Sequence, residues 1–236
     1  MAQAFAALMQ ELGYERYGVH GTDVGSGVAG ILATIDAGHV VGAHIAGTVA
    51  AMPFGPPVVL EGLEPDDRVR AERFNEFQQS GIGYLHLQAT RPQTLAYSLA
   101  DSPVGQLAWI LDRFWAGMGV GFSSPSEAFD RDQLLTNVSV YWFTGSGAST
   151  ANAVYEGMQA WRAMAAQGDE PQPPTAPMGV AVFGTDTTIR SVMDPAGAFA
   201  HWPEFELGGH FAAMETPELL AGDLSSFFAP LRDAAA

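Results

Sequence analysis

The spacing of hydrophobic residues changes twice along the chain and divides it into three blocks. In the first block, residues 1–12 carry apolar side chains at helical spacing, and a short strand is predicted at 17–20. A helix is predicted at about 25–37, and it is followed by the apolar, β-branched run 40–45. Such a run is typical of a parallel strand that is buried on both faces. Strand, helix and strand in this order predict an α/β unit.

A proline-rich linker at 53–57 ends the first block, and helical spacing dominates after it. Residues 66–79 are rich in charge and carry phenylalanines spaced for one helical face. Residues 103–115 begin at a proline, which is well tolerated in the first turn of a helix. A second linker at 168–174 closes this block. The pattern predicts a mainly helical domain over 58–167.

Strand signals return in the third block, with candidates at 178–183 and at 199–205, the second of which contains a proline. A final helix is predicted at about 216–231. The fold class is therefore expected to be α/β, with a parallel sheet. Its core is expected in two pieces, 1–57 and 168–236, with the helical domain inserted between them.

Composition narrows the partners of this protein. Ten Lys and Arg residues stand against 26 Asp and Glu residues, which gives a formal net charge of −16. Such a charge repels nucleic acids and anionic membranes, so we expect neither as a partner. The apolar stretch 39–52 is too short to span a bilayer, and the start lacks the features of a signal peptide. We expect a soluble cytoplasmic protein, and a homodimer remains open.

The turn between the first predicted strand and helix has the sequence Gly21-Thr22-Asp23-Val24-Gly25. It fits the G-x-nucleophile-x-G elbow, with Asp23 at the position of the nucleophile. The elbow forces its central residue into strained backbone geometry, and glycine on either side avoids a clash. The predicted strand before the turn and the helix after it are the context that an elbow requires.

Two other interpretations of this turn involve no nucleophile. Residues 25–30 match the dinucleotide-binding pattern G-x-G-x-x-G, but Asp23 would then place a negative charge beside the pyrophosphate. No acidic residue lies between Asp36 and Glu61 to bind the ribose, which argues against this interpretation. The other interpretation is a glycine-rich turn in which Asp23 only caps the following helix, and the local sequence leaves it open.

A second glycine-rich string, 208–215, follows the last strand candidate and contains His210. Its paired glycines allow a tight turn that presents the imidazole at the edge of the sheet. Asp186 follows the strand candidate at 178–183. The order Asp23, Asp186, His210 therefore matches the order of nucleophile, acid and base in α/β-hydrolases. Asp194 is a rival for the acid, although it lies further from the end of that strand.

An aspartate nucleophile restricts the chemistry to electrophilic sp³ carbons. Attack on an epoxide or an alkyl halide forms an alkyl ester, which water can then hydrolyse. In this scheme His210 activates the water, Asp186 orients the imidazole, and the backbone N–H of Val24 is one oxyanion donor.

This chemistry needs no cofactor. We also expect no metal site, because the histidines lack the spacing of a zinc motif and the chain has no cysteine. The histidines outside the Gly-Gly-His string are expected to be packing or surface residues: His20, His39, His44, His86 and His201.

Several strings spread over nearly the whole chain resemble epoxide hydrolases of the microsomal and fungal type, which have the α/β-hydrolase fold. These strings are GTDVGS at 21–26, GYLHLQATRPQT at 83–94, DSPVG at 101–105, LLTNVSVYWFTG at 134–145 and GGHFAA at 208–213. The resemblance implies hydrolysis of a small-molecule epoxide to a vicinal diol. It also implies that Tyr84 and Tyr141 are the paired cap tyrosines that hold the epoxide oxygen. An alkoxide is far more basic than a phenol, so a tyrosine O–H can donate to it.

The chain departs from this family at two places. Val24 stands where the family usually has tryptophan after the nucleophile. Haloalkane dehalogenases use an indole there to hold the halide, so Val24 and the tyrosine pair count against that alternative.

The second departure is at the start of the chain. In the family, several strands and a His-Gly-x-Pro loop precede the elbow, and the loop supplies the second oxyanion donor. Neither precedes Asp23 here, so a partial α/β-hydrolase fold is expected. The hypothesis is that Met1 lies inside a longer reading frame or that the gene is a relic. The alternative function is therefore a non-catalytic remnant or a fragment that complements a separate N-terminal half.

Overall fold

The centre of the sheet is the unbroken apolar run, which forms strand β2 (Val40–Ala46). It pairs in parallel with β1 (Tyr17–Thr22) on one side and with β3 (Met178–Ala181) on the other. Every residue of β2 is buried except Val41, which is half-buried. Burial on both faces explains why the run does not alternate with polar residues. The α/β class and the parallel sheet are confirmed.

The computed structural model describes residues 1–49, 51, 53–167 and 174–233. The helices before residue 77 are α1 (Ala2–Glu11), α2 (Val24–Ile35) and α3 (Pro65–Glu76). They are followed by a π-helical turn (Phe77–Gly81), α4 (Gly83–Thr90), α5 (Pro92–Asp101), α6 (Pro103–Gly117), α7 (Pro125–Ala128), α8 (Arg131–Phe143) and α9 (Gly147–Gln167). After β3 come α10 (Arg190–Met193), α11 (Ala212–Glu215) and α12 (Pro217–Asp233). Within the described ranges, no helix is long and apolar enough to cross a membrane.

The chain divides into two compact units. The unit that holds the sheet comprises Met1–Phe74, Met118–Gly121 and Gln172–Ala236. The helical unit comprises Asn75–Gly117 and Phe122–Pro171. Compared with the predicted ranges, residues 58–74 and 118–121 lie with the sheet rather than with the helices. Residues 168–173 of the second predicted linker lie outside the described residues.

The strand predicted at 199–205 does not form a continuous strand. Two isolated parallel bridges join this segment to the β3 region, Gly179 with His201 and Val182 with Glu204. Pro203 explains the interruption. The N–H of Val180 donates to His201 O and the N–H of Val182 to Pro203 O, but a proline has no N–H to return the next bond.

Helix α1 covers the sheet with fewer residues than its sequence predicts. Ala6 and Met9 pack against the core around the sheet. The larger apolar residues expected on the same face are half-exposed or more, with relative exposures of 50% for Phe5, 49% for Leu8 and 61% for Leu12. The contact is therefore made by Met9 together with the small residues Ala2 and Ala6.

Helix α12 approaches the sheet closely because the strands carry glycine where it crosses them. A Cβ at Gly179 in β3 would lie 2.8 Å from the ring of Phe227, and one at Gly42 in β2 would lie 3.2 Å from the same ring. A Cβ at Gly18 in β1 would lie 2.5 Å from the ring of Phe228. Gly18 and Gly42 are also partners in the register of the sheet. The three strands thus leave a groove that α12 fills with aromatic side chains.

Candidate active site

The turn from β1 into α2 has the geometry of a nucleophile elbow. Asp23 has a φ of 54°, and among the described residues it is the one non-glycine residue with positive φ. Such a conformation costs on the order of 1–3 kcal/mol and persists only where the surroundings impose it. Here the surroundings are the end of β1 and the start of α2, which begins at the next residue.

Of the two glycines of the elbow, Gly21 is the one at which a side chain would clash. A Cβ at Gly21 would lie 2.0 Å from the carbonyl oxygen of Gly25 and 2.8 Å from the nitrogen of Ser26, so no side chain fits there. A Cβ at Gly25 would meet nothing within 4 Å. The expectation that both glycines avoid a clash is therefore wrong for Gly25, which contributes its backbone carbonyl to the contact instead.

The carboxylate of Asp23 has two different partners. Its Oδ1 accepts a hydrogen bond from the backbone N–H of Val24 at 2.5 Å, which makes Asp23 the N-cap of α2. Its Oδ2 lies 2.9 Å from Nε2 of His210. The contact with His210 is not part of a helix cap, so Asp23 does more than cap α2. The structure thus brings together two of the residues that the sequence singled out.

Asp23 and His210 each stabilise the charged form of the other. A hydrogen bond from His210 lowers the pKa of Asp23, although burial acts in the opposite direction. The same hydrogen bond raises the pKa of His210, again against the effect of burial. The ion pair of carboxylate and imidazolium is therefore favoured in the resting site.

Asp186 is buried just beyond β3, with a relative exposure of 5%. Its Oδ2 accepts the N–H of Phe183 at 2.9 Å, and the N–H of Gly47 is a further donor to the carboxylate. Burial raises the pKa of Asp186 to about 6, while these hydrogen bonds and the charge of His210 oppose the rise. The charge of Asp186 in turn helps to raise the pKa of His210.

Gly47, directly after β2, lies at the centre of these groups. Its φ is +58°, and a Cβ there would lie 3.5 Å from Nδ1 of His210 and 3.8 Å from the nitrogen of Asp23. Its N–H also hydrogen-bonds to Asp186. The ends of all three strands therefore contribute to one site, as expected at the carboxyl edge of a parallel sheet.

Other contacts hold the loop that carries Asp186. Arg73 in α3 donates from Nη1 to the carbonyl oxygens of Gly184 at 3.0 Å and Asp186 at 3.3 Å. The rival acid, Asp194, has a different task. It accepts the N–H groups of Ala198 and Phe199 and so closes a turn.

Glu215 is a residue of the site that the sequence did not indicate. Its carboxylate accepts the N–H of Phe211 at 3.0 Å and the N–H of Gly119 at 2.6 Å. Burial raises the pKa of Glu215, and its charge contributes to the raised pKa of His210. The residue ties the loop of His210 to residues 118–121. An acid four residues after Phe211 is too weak a pattern to predict this role.

The two candidate tyrosines lie in the helical unit. Tyr84 is half-buried in α4, with the guanidinium of Arg113 4.0 Å from the centre of its ring. Tyr141 is half-buried in α8, and its carbonyl oxygen accepts the N–H of Ser146.

The elbow, the paired aspartate and histidine, and the parallel sheet define a protein of the α/β-hydrolase class. Within that class, its relatives are epoxide hydrolases, and the resemblance that the sequence strings indicated is confirmed. The family is one of hydrolases. No protein-family model matches the chain.

The individual similarities extend over almost the whole chain. A "Putative epoxide hydrolase" of Stigmatella aurantiaca is 34% identical over 98% of this chain and 51% of its own length. "Epoxide hydrolase 1" of Oryctolagus cuniculus is 29% identical over 96% of this chain and 54% of its own length. The crystal structure of juvenile hormone epoxide hydrolase from the silkworm Bombyx mori superposes with a TM-score of 0.82 and 27% identity, over 100% of this chain and 59% of that one. The chain spans about half the length of the curated relatives it matches.

The steric asymmetry of the elbow generates a first prediction. Gly21→Ala is expected to destabilise the protein by more than the roughly 1–3 kcal/mol of ordinary overpacking, because its Cβ meets backbone rather than a movable side chain. Gly25→Ala is the matched control and is expected to be neutral or stabilising, since alanine favours a helix by up to about 1 kcal/mol. Urea unfolding of both variants measures the difference. Equal loss in the two variants would contradict the geometry.

The burial of Asp186 generates a second prediction. Its pKa in the folded state, about 6, lies above the ordinary value, so its contribution to stability is present at pH 4 and is lost as pH rises through 6. Asp186→Asn has no such titration. The free energy of unfolding of the wild type is therefore expected to fall relative to that of Asp186→Asn by on the order of 2 kcal/mol between pH 4 and 7. Denaturant unfolding across this range tests it, and a difference that does not vary with pH would refute it.

Proposed function

We propose that the chain carries the nucleophile, base and orienting acid of an epoxide hydrolase, which converts a small-molecule epoxide to a vicinal diol without a cofactor. The observation that carries the proposal is the contact of Asp23 with both the Val24 N–H and His210 at a strained elbow. The names of the relatives support epoxides as the substrate class.

In the first step, Oδ2 of Asp23 attacks an epoxide carbon and the ring C–O bond breaks. The ring oxygen takes its proton from a tyrosine O–H, for which the family resemblance suggests Tyr84 and Tyr141. Oδ1 becomes the carbonyl oxygen of the alkyl ester and stays on the N–H of Val24, where the negative charge of the next step develops.

In the second step, His210 takes a proton from water as the water oxygen attacks the ester carbon. In the collapse of the intermediate, the ester C–O bond breaks and the leaving oxygen takes the remaining proton of the attacking water, which releases the diol and restores the carboxylate of Asp23. Loss of the negative charge of Asp23 in the ester assists this step. The largest cause of the raised pKa of His210 is its hydrogen bond with the Asp23 carboxylate, and the ester removes that negative charge. His210 therefore gives up its proton, which passes through solvent to the tyrosinate left by ring opening, and it is a neutral base when the ester needs water.

The second candidate function is a non-catalytic remnant or a fragment that complements a separate N-terminal half. It is favoured by the coverage of about half of each curated relative, 51% and 54% in the two cited. Haloalkane dehalogenase is the less favoured alternative, because Val24 stands at the position of the halide-binding indole.

Trapping of the ester distinguishes these functions. His210→Gln is expected to react once with a styrene-type epoxide and to retain the adduct on Asp23, because no base activates water. Intact-protein and peptide mass spectrometry should find an added mass equal to that of the epoxide on the peptide containing Asp23. Asp23→Asn should show no adduct and lose diol formation by at least about 10⁴-fold. Asp101→Asn, exposed at the end of α5, is the control for the same change of charge.

The trap is applied to the chain alone and to a version extended upstream in frame. An adduct and diol only in the extended protein would support the mechanism and a longer reading frame, whereas a complementing fragment would need a separately produced N-terminal half. No adduct and no diol in either protein would overturn the proposed enzyme.

The tyrosines are tested in the same reaction. Tyr84→Phe and Tyr141→Phe are each expected to slow adduct formation by about 10²-fold or more, because the ring oxygen loses a proton donor. Tyr97→Phe is the matched control, since this tyrosine is 69% exposed on α5 of the same unit. An adduct rate unchanged in all three variants would exclude the tyrosine pair as proton donors.

A further inference from the structure

Two histidines and an aspartate from distant parts of the sequence meet in the unit that holds the sheet. His44 is on β2, His201 is in the segment after β3, and Asp223 is on α12. Nε2 of His44 lies 2.7 Å from Oδ2 of Asp223, and Nε2 of His201 lies 2.6 Å from Oδ1. None of these residues belongs to the candidate active site.

The cluster is buried but has an opening. The side chain of His44 has a relative exposure of 0%, that of Asp223 3%, and that of His201 24%. His201 therefore connects the carboxylate to solvent. One ligand atom from each of the three residues lies within 4.8 Å of the other two.

We propose that His44, His201 and Asp223 bind one divalent transition-metal ion of the Zn²⁺ type. Two imidazole nitrogens and a carboxylate oxygen are a donor set that suits such ions, whereas Mg²⁺ and Ca²⁺ prefer oxygen alone. Bonds of about 2.0–2.2 Å to a shared ion would widen the two nitrogen–oxygen contacts to roughly 3 Å. The two nitrogen–oxygen distances, 2.7 and 2.6 Å, therefore have to change by only a few tenths of an ångström. The ligand atoms, which all lie within 4.8 Å of one another, have to come to about 3.3 Å apart around a tetrahedral ion.

His20 on β1 completes the environment of the ligand His44. Its Nδ1 lies 2.9 Å from Nδ1 of His44. A histidine that binds a metal through Nε2 carries its proton on Nδ1 and usually donates it to an outer partner, which fixes the ring. His20 is placed to accept that proton. The two strands pair in parallel with His20 opposite His44, so this arrangement is built into the sheet.

Phe227 forms an apolar wall beside the cluster. Its ring centre lies 5.6 Å from that of His44 and 5.5 Å from that of His201. Because Phe227 fills the glycine groove of the sheet, the helix that carries Asp223 is held next to His44 without the ion. The ion would join β2, the segment of His201 and α12, and it would stabilise the folded state by binding that state alone.

The test uses the full chain after treatment with a chelator. Titration with Zn²⁺ in a calorimeter is expected to give one ion per chain, and Co²⁺ is expected to give the strong visible absorption of a tetrahedral site. His201→Ala is expected to weaken Zn²⁺ binding by at least about tenfold and to abolish the Co²⁺ absorption. His201 is partly exposed, so this variant should remain folded, and circular dichroism checks that it does.

The matched control is His39→Ala. His39 also contacts an aspartate, with Nδ1 2.6 Å from Oδ1 of Asp36, but it is exposed and outside the cluster. The His39→Ala variant should bind Zn²⁺ as the wild type does, and Zn²⁺ should raise the melting temperature of this variant and of the wild type. Asp223→Asn is the second ligand variant and should lose the Co²⁺ absorption. No binding by the wild type, or equal binding by His201→Ala and the wild type, would overturn the proposal.

Discussion

The close approach of Gly21 to Gly25 is the constraint on which the candidate site depends. Because the carbonyl of Gly25 occupies the space of a missing side chain, the chain can turn from β1 into α2 within a few residues. That turn holds Asp23 in a backbone conformation that it would otherwise avoid. One oxygen of its carboxylate then points to the first N–H of α2 and the other to His210. Backbone geometry thus sets the direction of the Asp23 carboxylate.

Much of the fold follows from local patterns, and the exceptions have physical causes. The run at Val40–Ala46 is predictable because a strand buried on both faces has no polar alternation. The segment 199–205 has the composition of a strand, but Pro203 removes one hydrogen bond of the ladder. The apolar residues of α1 predict a buried face, yet Phe5, Leu8 and Leu12 are about half exposed or more. The contact with the core is made by Ala2, Ala6 and Met9. Which part of an apolar stripe is covered depends on packing partners that the stripe does not encode.

Some residues of the candidate site can be predicted from the local sequence, whereas the roles of others depend on contacts with distant residues. Asp23 and His210 were predictable because each lies in a glycine-rich string whose backbone demands are local. Asp186 was predicted from its place after a strand, but the burial that raises its pKa comes from the surrounding core, and the N–H groups of Phe183 and Gly47 that oppose the rise are set by the fold. The role of Glu215 depends on Gly119, 96 residues away along the chain, and no local pattern reports such a contact.

The cluster of His44, His201 and Asp223 was not predictable for the same reason. His44 and Asp223 are 179 residues apart, so their spacing resembles no metal motif. The expectation that His44 and His201 are ordinary packing residues followed from sequence spacing alone. Only the folding of α12 onto β2 gives the imidazoles a shared carboxylate.

The glycine groove under α12 also limits which substitutions the strands and the helix can accept. A Cβ at Gly179 would lie 2.8 Å from the ring of Phe227 and would force it to shift, and one at Gly42 would lie 3.2 Å from the ring and would crowd it. A larger residue on one strand would be tolerated only together with a smaller one on the helix. Strand and helix positions that are more than 40 residues apart in sequence are therefore coupled through packing, and we expect related sequences to show paired substitutions here.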